Sequence, residues 1–493
     1  MNKKKICITV MLLLFSINLM TACSNKNNLT DKSEAGTSTN SKEKGNEKDV
    51  SSRSYHTNIF KEVKKEYSKE PNDKKLALKY AQTLFSLGNF EEARSILLPL
   101  LNETKVNAEA LYVSAQINYL EGNYQEAENQ YKELVTNHYE THGVQAEYGL
   151  QLIYYRTNNY SKAENLFNGE NSQKDPILDL MRSYGDTQPN QVDWNEADET
   201  VIPFVAKDPL PVIPIEVNGV KMNAFIDTAA DGLLIDSEKA KELGIETVSK
   251  LDGLFAGGKS QEVGYAKTDT LKLGDVSINN VSTMTGPIDG TISSLFPNVK
   301  DVHAAIGTNV LQNFVPTIDF ISKELKLVPK NEEGRTKVQE NLSNDDIKTK
   351  VPFTIGSSHY MFTRGSINEY DNLNMFMDSG MPANNGKGPI LSPQAMKYMG
   401  FPIPQNKDME KSTFSGMGGG SFKTSTFDLN SYNVGSIGEK NTSGQYWTGD
   451  QFNMYETTGF VSDAMIGHDF VSKYRWTIDF DNYSMTFSKP KEE

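Results

Sequence analysis

The sequence predicts a multidomain chain: an all-α array of helical repeats followed by an all-β region made of two copies of one lobe. Three observations carry this. First, Leu87-Gly88-Asn89-Phe90-Glu91-Glu92-Ala93, Glu121-Gly122-Asn123-Tyr124-Gln125-Glu126-Ala127 and Thr157-Asn158-Asn159-Tyr160-Ser161-Lys162-Ala163 align, 34 and then 36 residues apart. Second, the turn Ile226-Asp227-Thr228-Ala229 is echoed 151 residues later by Met377-Asp378-Ser379-Gly380. Third, each turn is followed by the same companions in the same order. These are an Ile-Gly element (Ile306-Gly307, Ile466-Gly467) and a closing Ile-Asp-Phe turn (Ile318-Asp319-Phe320, Ile478-Asp479-Phe480).

Composition removes several function classes. The 493 residues suffice for about three domains. A net charge of −14 argues against a nucleic-acid binder, which presents a basic face. Cys7 and Cys23 are the only cysteines, so there is neither a disulfide framework nor a Cys-rich zinc site. The six histidines form no His-Glu-x-x-His motif. No metal and no cofactor is expected.

Lys3, Lys4 and Lys5 precede an apolar run, 6–20, that is too short for an ordinary membrane span, the layout of a secretory signal. It ends Leu19-Met20-Thr21-Ala22-Cys23, which resembles a bacterial lipoprotein signal. The resemblance implies a signal peptide over 1–22, a lipidated Cys23 and an anchor on the extracytoplasmic face of the cell membrane. Residues 23–56, rich in Ser, Asn, Lys and Glu, cannot bury enough surface to fold and read as a flexible tether.

Residues 57–185 carry the helical periodicity. Each Gly-Asn pair breaks the chain between two helices. Ala81 and Ala115 sit where paired helices approach closely, and Leu97, Tyr131 and Phe167 fall one helical turn after each repeat alanine. The period resembles that of tetratricopeptide repeats. That resemblance implies a concave surface for a peptide or partner protein; a brace packed on the next domain fits the residues equally well. Tyr119 and Tyr154 read as core. Residues 186–205 lack clean periodicity and read as a linker, with a first strand at its end.

The β region divides into lobe 1, 206–340, and lobe 2, 341–493. Residues 212–217 form a strand, Asn218-Gly219 a hairpin turn, and 222–226 the strand that delivers Asp227. A short helix over 237–243 ends at Gly244. A glycine-bearing hairpin, Phe255-Ala256-Gly257-Gly258, follows. In lobe 2, 351–355 is a strand and 374–377 leads to Asp378. Residues 390–395 match 234–238 after an insertion at 381–389, and Gly416, Gly418, Gly419 and Gly420 mark a second hairpin.

These motifs resemble bacterial retropepsin-like aspartic proteases, and so imply an all-β bilobal aspartic-protease fold after the all-α tetratricopeptide-like array. By that resemblance Asp227 and Asp378 are the catalytic carboxylates. Thr228, Ser379, Gly380, Gly307 and Gly467 support their loops. Asp231 and the flap glycines Gly257, Gly258, Gly418 and Gly419 contact substrate. Single-lobe retropepsins form homodimers; this chain carries both carboxylates, which implies an intrachain pseudo-dimer and a monomer. Asp319, Asp479 and His468 read as structural.

The expected activity is that of a membrane-anchored endopeptidase acting on protein or peptide substrates, with the repeats binding substrate or a partner. The first loop departs from the family's Asp-Thr/Ser-Gly at Ala229, and bulky Met381 and Pro382 follow the second. Two alternatives stay open: a protease-like lipoprotein that grips peptides without cutting them, and a structural envelope lipoprotein.

Overall fold

A computed structural model describes residues 52–491, apart from 104, 168–174, 256–258, 289–294, 341, 343–345, 383–387, 406, 408, 416–420 and 449–453. The predicted lipidation residue Cys23 and the flap glycines Gly257, Gly258, Gly418 and Gly419 therefore lie outside the described residues.

The N-terminal region is helical: α1 (Arg53–Tyr67), α2 (Lys74–Ser86), α3 (Phe90–Leu101), α4 (Ala108–Leu120), α5 (Tyr124–Asn137), α6 (Val144–Arg156) and α7 (Pro176–Ser183). Asp73, Asn107 and Asp175 cap α2, α4 and α7 through side-chain oxygens. The α2–α3 and α4–α5 junctions turn at Gly88 (φ 77°) and Gly122 (φ 79°), a left-handed conformation that glycine adopts without a Cβ clash. Asn158 (φ 55°) takes that place after α6. Ala81, Ala93, Ala115 and Ala127 are fully buried, so the paired helices meet at their backbones. Among the described residues no helix is long and apolar enough to cross a membrane.

Three boundaries differ from expectation. Helix α1 starts at Arg53, inside the stretch read as tether; its buried Arg53 and His56 are polar and give no apolar periodicity. In the third repeat Tyr160–Ala163 is a 3-10 turn, and Phe167 (φ 55°) is buried in a left-handed turn and not on a helix. The stretch read as linker holds β1 (Gln191–Asp193) as well as β2 (Thr200–Pro203), the strand expected at its end.

Lobe 1 continues with β3 (Val212–Val217), β4 (Val220–Ile226), β5 (Leu233–Asp236), β6 (Thr247–Phe255), β7 (Lys259–Leu273), β8 (Val276–Gly286), β9 (Val302–Ile306), β10 (Val315–Asp319) and β11 (Glu324–Val328). Lobe 2 holds β12 (Ile347–Gly356), β13 (Tyr360–Ile367), β14 (Tyr370–Met377), β15 (Ile390–Leu391), β16 (Glu410–Ser415), β17 (Ser421–Val434), β18 (Ile437–Trp447), β19 (Ala464–Ile466), β20 (Arg475–Asp479) and β21 (Ser484–Lys489).

Both lobes use one strand order about the site: β8-β5-β9-β4-β3-β7 in the first and β18-β15-β19-β14-β13 in the second. In each, the strand entering the aspartate turn pairs in parallel with the crossing strand, β4 with β9 and β14 with β19. The strand leaving it pairs antiparallel with the same crossing strand. The hairpin partner of β14 is β13, which sequence reading missed; residues 351–355 belong to β12, which joins β13 to β21. The lobes are bonded through β10 and β20, with Ile318 opposite Trp476.

One apolar core runs through both lobes, from Ile213 and Ile226 to Met377, Trp476 and Phe487. A second joins the helices to Tyr265, Phe362, Phe376, Met454 and Phe460 of the β region. The helical region is thus packed on the lobes and shares a core with them.

Candidate active site

Strand alternation explains how the two aspartates reach one place. Ile226 and Met377 point into the common core, so the chain is anchored one residue before each carboxylate. The backbone N–H of Asp227 donates to Ile306 O (3.0 Å) and that of Asp378 to Ile466 O (2.9 Å), pinning both turns to their crossing strands.

The two turns are tied together by hydroxyls. Thr228 N–H donates to Ser379 Oγ and Ser379 N–H to Thr228 Oγ1, both at 3.0 Å. The Thr228 hydroxyl donates to Met377 O (3.2 Å) and the Ser379 hydroxyl to Ile226 O (3.1 Å). Asp227 Oδ1 accepts from the N–H groups of Ala229 (2.8 Å) and Ala230 (3.2 Å), and Asp378 Oδ1 from that of Gly380 (2.8 Å). One oxygen of each carboxylate is held this way.

The glycines are needed to different degrees. A Cβ on Gly380 would stand 2.2 Å from Asp227 Cγ, so the second turn lies against the first carboxylate. A Cβ on Gly307 would stand 2.4 Å from Ala230 O, a backbone atom that cannot yield. At Gly467 the nearest atoms are 3.0 Å away in the Met381 side chain, a milder constraint. Ala229, where the first loop departs from glycine, packs against the cluster that the helices and the lobes share.

Both carboxylates are buried, 7 % exposed at Asp227 and 9 % at Asp378. Burial raises Asp227 to about 6. Burial also raises Asp378, and the Asp227 charge beside it pushes it further. Two buried carboxylates whose charges interact in this way titrate as a pair.

Asp231 sits four residues on. Its Oδ1 accepts from Asn309 Nδ2, and its Oδ2 accepts from the Tyr155 hydroxyl of α6 at 3.1 Å. His359 Nδ1 lies 3.6 Å from Oδ1, and burial lowers its pKa and keeps the ring neutral. Burial, then the nearby carboxylates, raise Tyr360 and Tyr155, so both phenols stay protonated donors. Arg156 is buried and donates to Asn309 Oδ1 (3.0 Å), Gln312 Oε1 (2.7 Å) and Ser358 O (2.5 Å), touching both lobes.

Sequence reading missed Tyr155, Arg156, Asn309, His359 and Tyr360. Only Asn309, two residues after Gly307, sits in a motif that was noticed. Asp319 and Asp479 cap turns, accepting from Ile321 and Ser322 and from Asp481 and Asn482. His468 is buried, with Nε2 2.8 Å from Asp208 Oδ1. Among the described residues no three His, Cys, Asp or Glu are grouped to hold a metal ion.

Residues 213–296 match the family described as aspartyl protease. A retropepsin-like aspartic protease from Rickettsia conorii, solved by crystallography, is similar at 20 % identity over 28 % of this chain and 92 % of its own, with a TM-score of 0.20. No curated protein matches the chain. The family match supports an aspartic protease domain and covers the loop that bears Asp227.

Proposed function

We propose that the chain is a membrane-anchored, extracytoplasmic aspartic endopeptidase whose two lobes form an intrachain pseudo-dimer. The observation that carries this is the reciprocal Thr228–Ser379 bonding, which ties together the two turns that bear Asp227 and Asp378. The singly protonated pair supplies both roles. The ionised oxygen takes a proton from a bound water, which attacks the peptide carbonyl. The protonated oxygen hydrogen-bonds the developing oxyanion and then gives its proton to the leaving nitrogen as the C–N bond breaks, while the other carboxyl keeps the proton taken from water. Neither role belongs to one residue.

The anchor rests on the lipoprotein-like signal ending at Cys23. The helical region, with its tetratricopeptide-like spacing, acts as a partner for the lobes and for a protein substrate. The test is cleavage of a mixed peptide library, from acid to neutral pH, by the fragment from Ser24 onward. Cleavage that disappears in Asp227→Asn and in Asp378→Asn supports the reading. Undiminished cleavage in either variant would reject it, and peptide binding without cleavage by every form would favour an inactive peptide-binding lipoprotein.

A further inference from the structure

The helical region reaches residues around the carboxylate pair in both lobes. Asp231, the residue expected to hold substrate backbone, has its Oδ2 taken by the Tyr155 hydroxyl. The next residue, Arg156, bridges the lobes beside it, reaching Asn309 and Gln312 on one side and Ser358 on the other. Ala229 and Tyr360, next to the pair, pack against the cluster that the helices and the lobes share.

Phe225 and Phe376 make the point most clearly. Each stands two residues before its aspartate and faces away from the common core. Phe225 is covered by its own lobe, in a cluster with Ile288 and Phe296. Phe376 belongs to the cluster that the helices and the lobes share, with its ring against Tyr360 and Phe362. Further out, Phe90 of α3 meets Phe460 edge-on at 5.4 Å, and Arg53 pairs with Asp463 at 2.6 Å beside β19. A peptide that is cut must bring its carbonyl and the attacking water to the pair, and one that also bonds Asp231 would meet the Tyr155 hydroxyl already there.

We propose that the helical region is a built-in cap that keeps the protease latent, with Tyr155 standing on Asp231 in place of substrate backbone, and that a peptide is cut only after the cap moves off the lobes. This rests on the protease reading above. The shared core makes the closed arrangement dominant, because opening exposes Phe90 and Phe460 to water. Access is set by the small open fraction, so what binds the helices controls cleavage.

The test uses the fragment from Ser24 onward, which retains every described residue and neither native cysteine. Ser86 O and Val461 N are hydrogen-bonded at 2.9 Å across the cap–lobe contact, far in sequence from the 186–205 connection. The pair Ser86→Cys with Val461→Cys therefore closes the cap when oxidised. Two variants loosen it: Tyr155→Ala, and Arg364→Ala, whose guanidinium donates to Gly88 O and Leu87 O. Loosening is expected to raise kcat/KM for peptides about tenfold or more. Oxidation of the cysteine pair should abolish cleavage, and reductant should restore it.

Cleavage by the oxidised pair at the reduced rate, still lost in Asp227→Asn, would overturn the cap and leave the protease reading standing. No cleavage by any form above the Asp227→Asn background, loosened variants included, would overturn both. Should Tyr155→Ala fail to fold, Arg364→Ala and the cysteine pair decide.

Discussion

Thr228 and Ser379 bind each other through two hydrogen bonds of the same 3.0 Å length, each backbone N–H donating to the other's side-chain oxygen. Both residues are fully buried, and each hydroxyl also donates to a carbonyl of the opposite turn, Met377 O or Ile226 O. Each hydroxyl thus gives one hydrogen bond and receives one, with its own proton fully used. The spacing of the two aspartates is therefore fixed by their covalent neighbours.

Ser379→Ala is expected to destabilise the fold, because it strands Thr228 N–H and Ile226 O in the interior. Each unpaired buried group costs about 1–3 kcal/mol. Thr228→Ala should do the same, and the double variant should cost less than the sum of the two, since both remove one lock. Urea denaturation of the three variants measures this; additive losses would show that the turns are held independently.

Gly380→Ala should abolish cleavage with the fold retained. The new methyl would overlap Asp227 Cγ, 2.2 Å away, and push one carboxylate off the other. Circular dichroism should be unchanged while peptide cleavage is lost. Ala229→Gly removes a methyl from the contact with the shared cluster but none of the N–H bonds to Asp227, so cleavage should persist.

Stability should fall as pH rises through the carboxylate pair. Both folded pKa values lie above the ordinary 3.8, so between that value and the folded ones the folded state holds more protons than the unfolded state. The stabilising protonation is complete below 3.8 and is lost as pH rises through the raised values. Asp378→Asn cannot ionise and should raise Tm at neutral pH, with the gain shrinking to nothing near the ordinary carboxyl value. A gain in Tm independent of pH would contradict this.

The duplicated turns were legible because each carries its chemistry in a few adjacent residues, Asp227-Thr228 and Asp378-Ser379, with an Ile-Gly partner following each in the same order, nine residues later in the second copy because of the insertion at 381–389. The helical pairs were legible from Gly88, Gly122 and their alanines. The contact between the two regions was not. Tyr155 and Phe460 look in sequence like core aromatics of their own domains, yet they reach into another one, Tyr155 to Asp231 and Phe460 to Phe90. Arg53, buried on Asp463 from 410 residues away, looks like a tether residue until its partner is in place. Strand β13 was missed because Tyr360-Met361-Phe362-Thr363 is buried or nearly so on both faces and shows no alternation.

Arg156→Met should destabilise the chain by roughly 3 kcal/mol or more, since Gln312 Oε1 and Ser358 O lose their Arg156 donor in the interior, while Asn309 Oδ1 keeps only its bond from Gln312 Nε2. Arg156→Lys should not restore it, because one ammonium cannot reproduce a planar fork that reaches two lobes. Thermal denaturation of both variants checks this, and a Lys variant as stable as wild type would refute the bridging role.

The most direct test of the central claim, that Asp227 and Asp378 act as one catalytic unit, is a double-mutant cycle on peptide cleavage in the loosened Tyr155→Ala background. Asp227→Asn and Asp378→Asn should each reduce cleavage to background, and the double variant should lose nothing further, as expected for two groups that share one proton. Retained cleavage in either single variant, or losses that multiply in the double, would contradict the account.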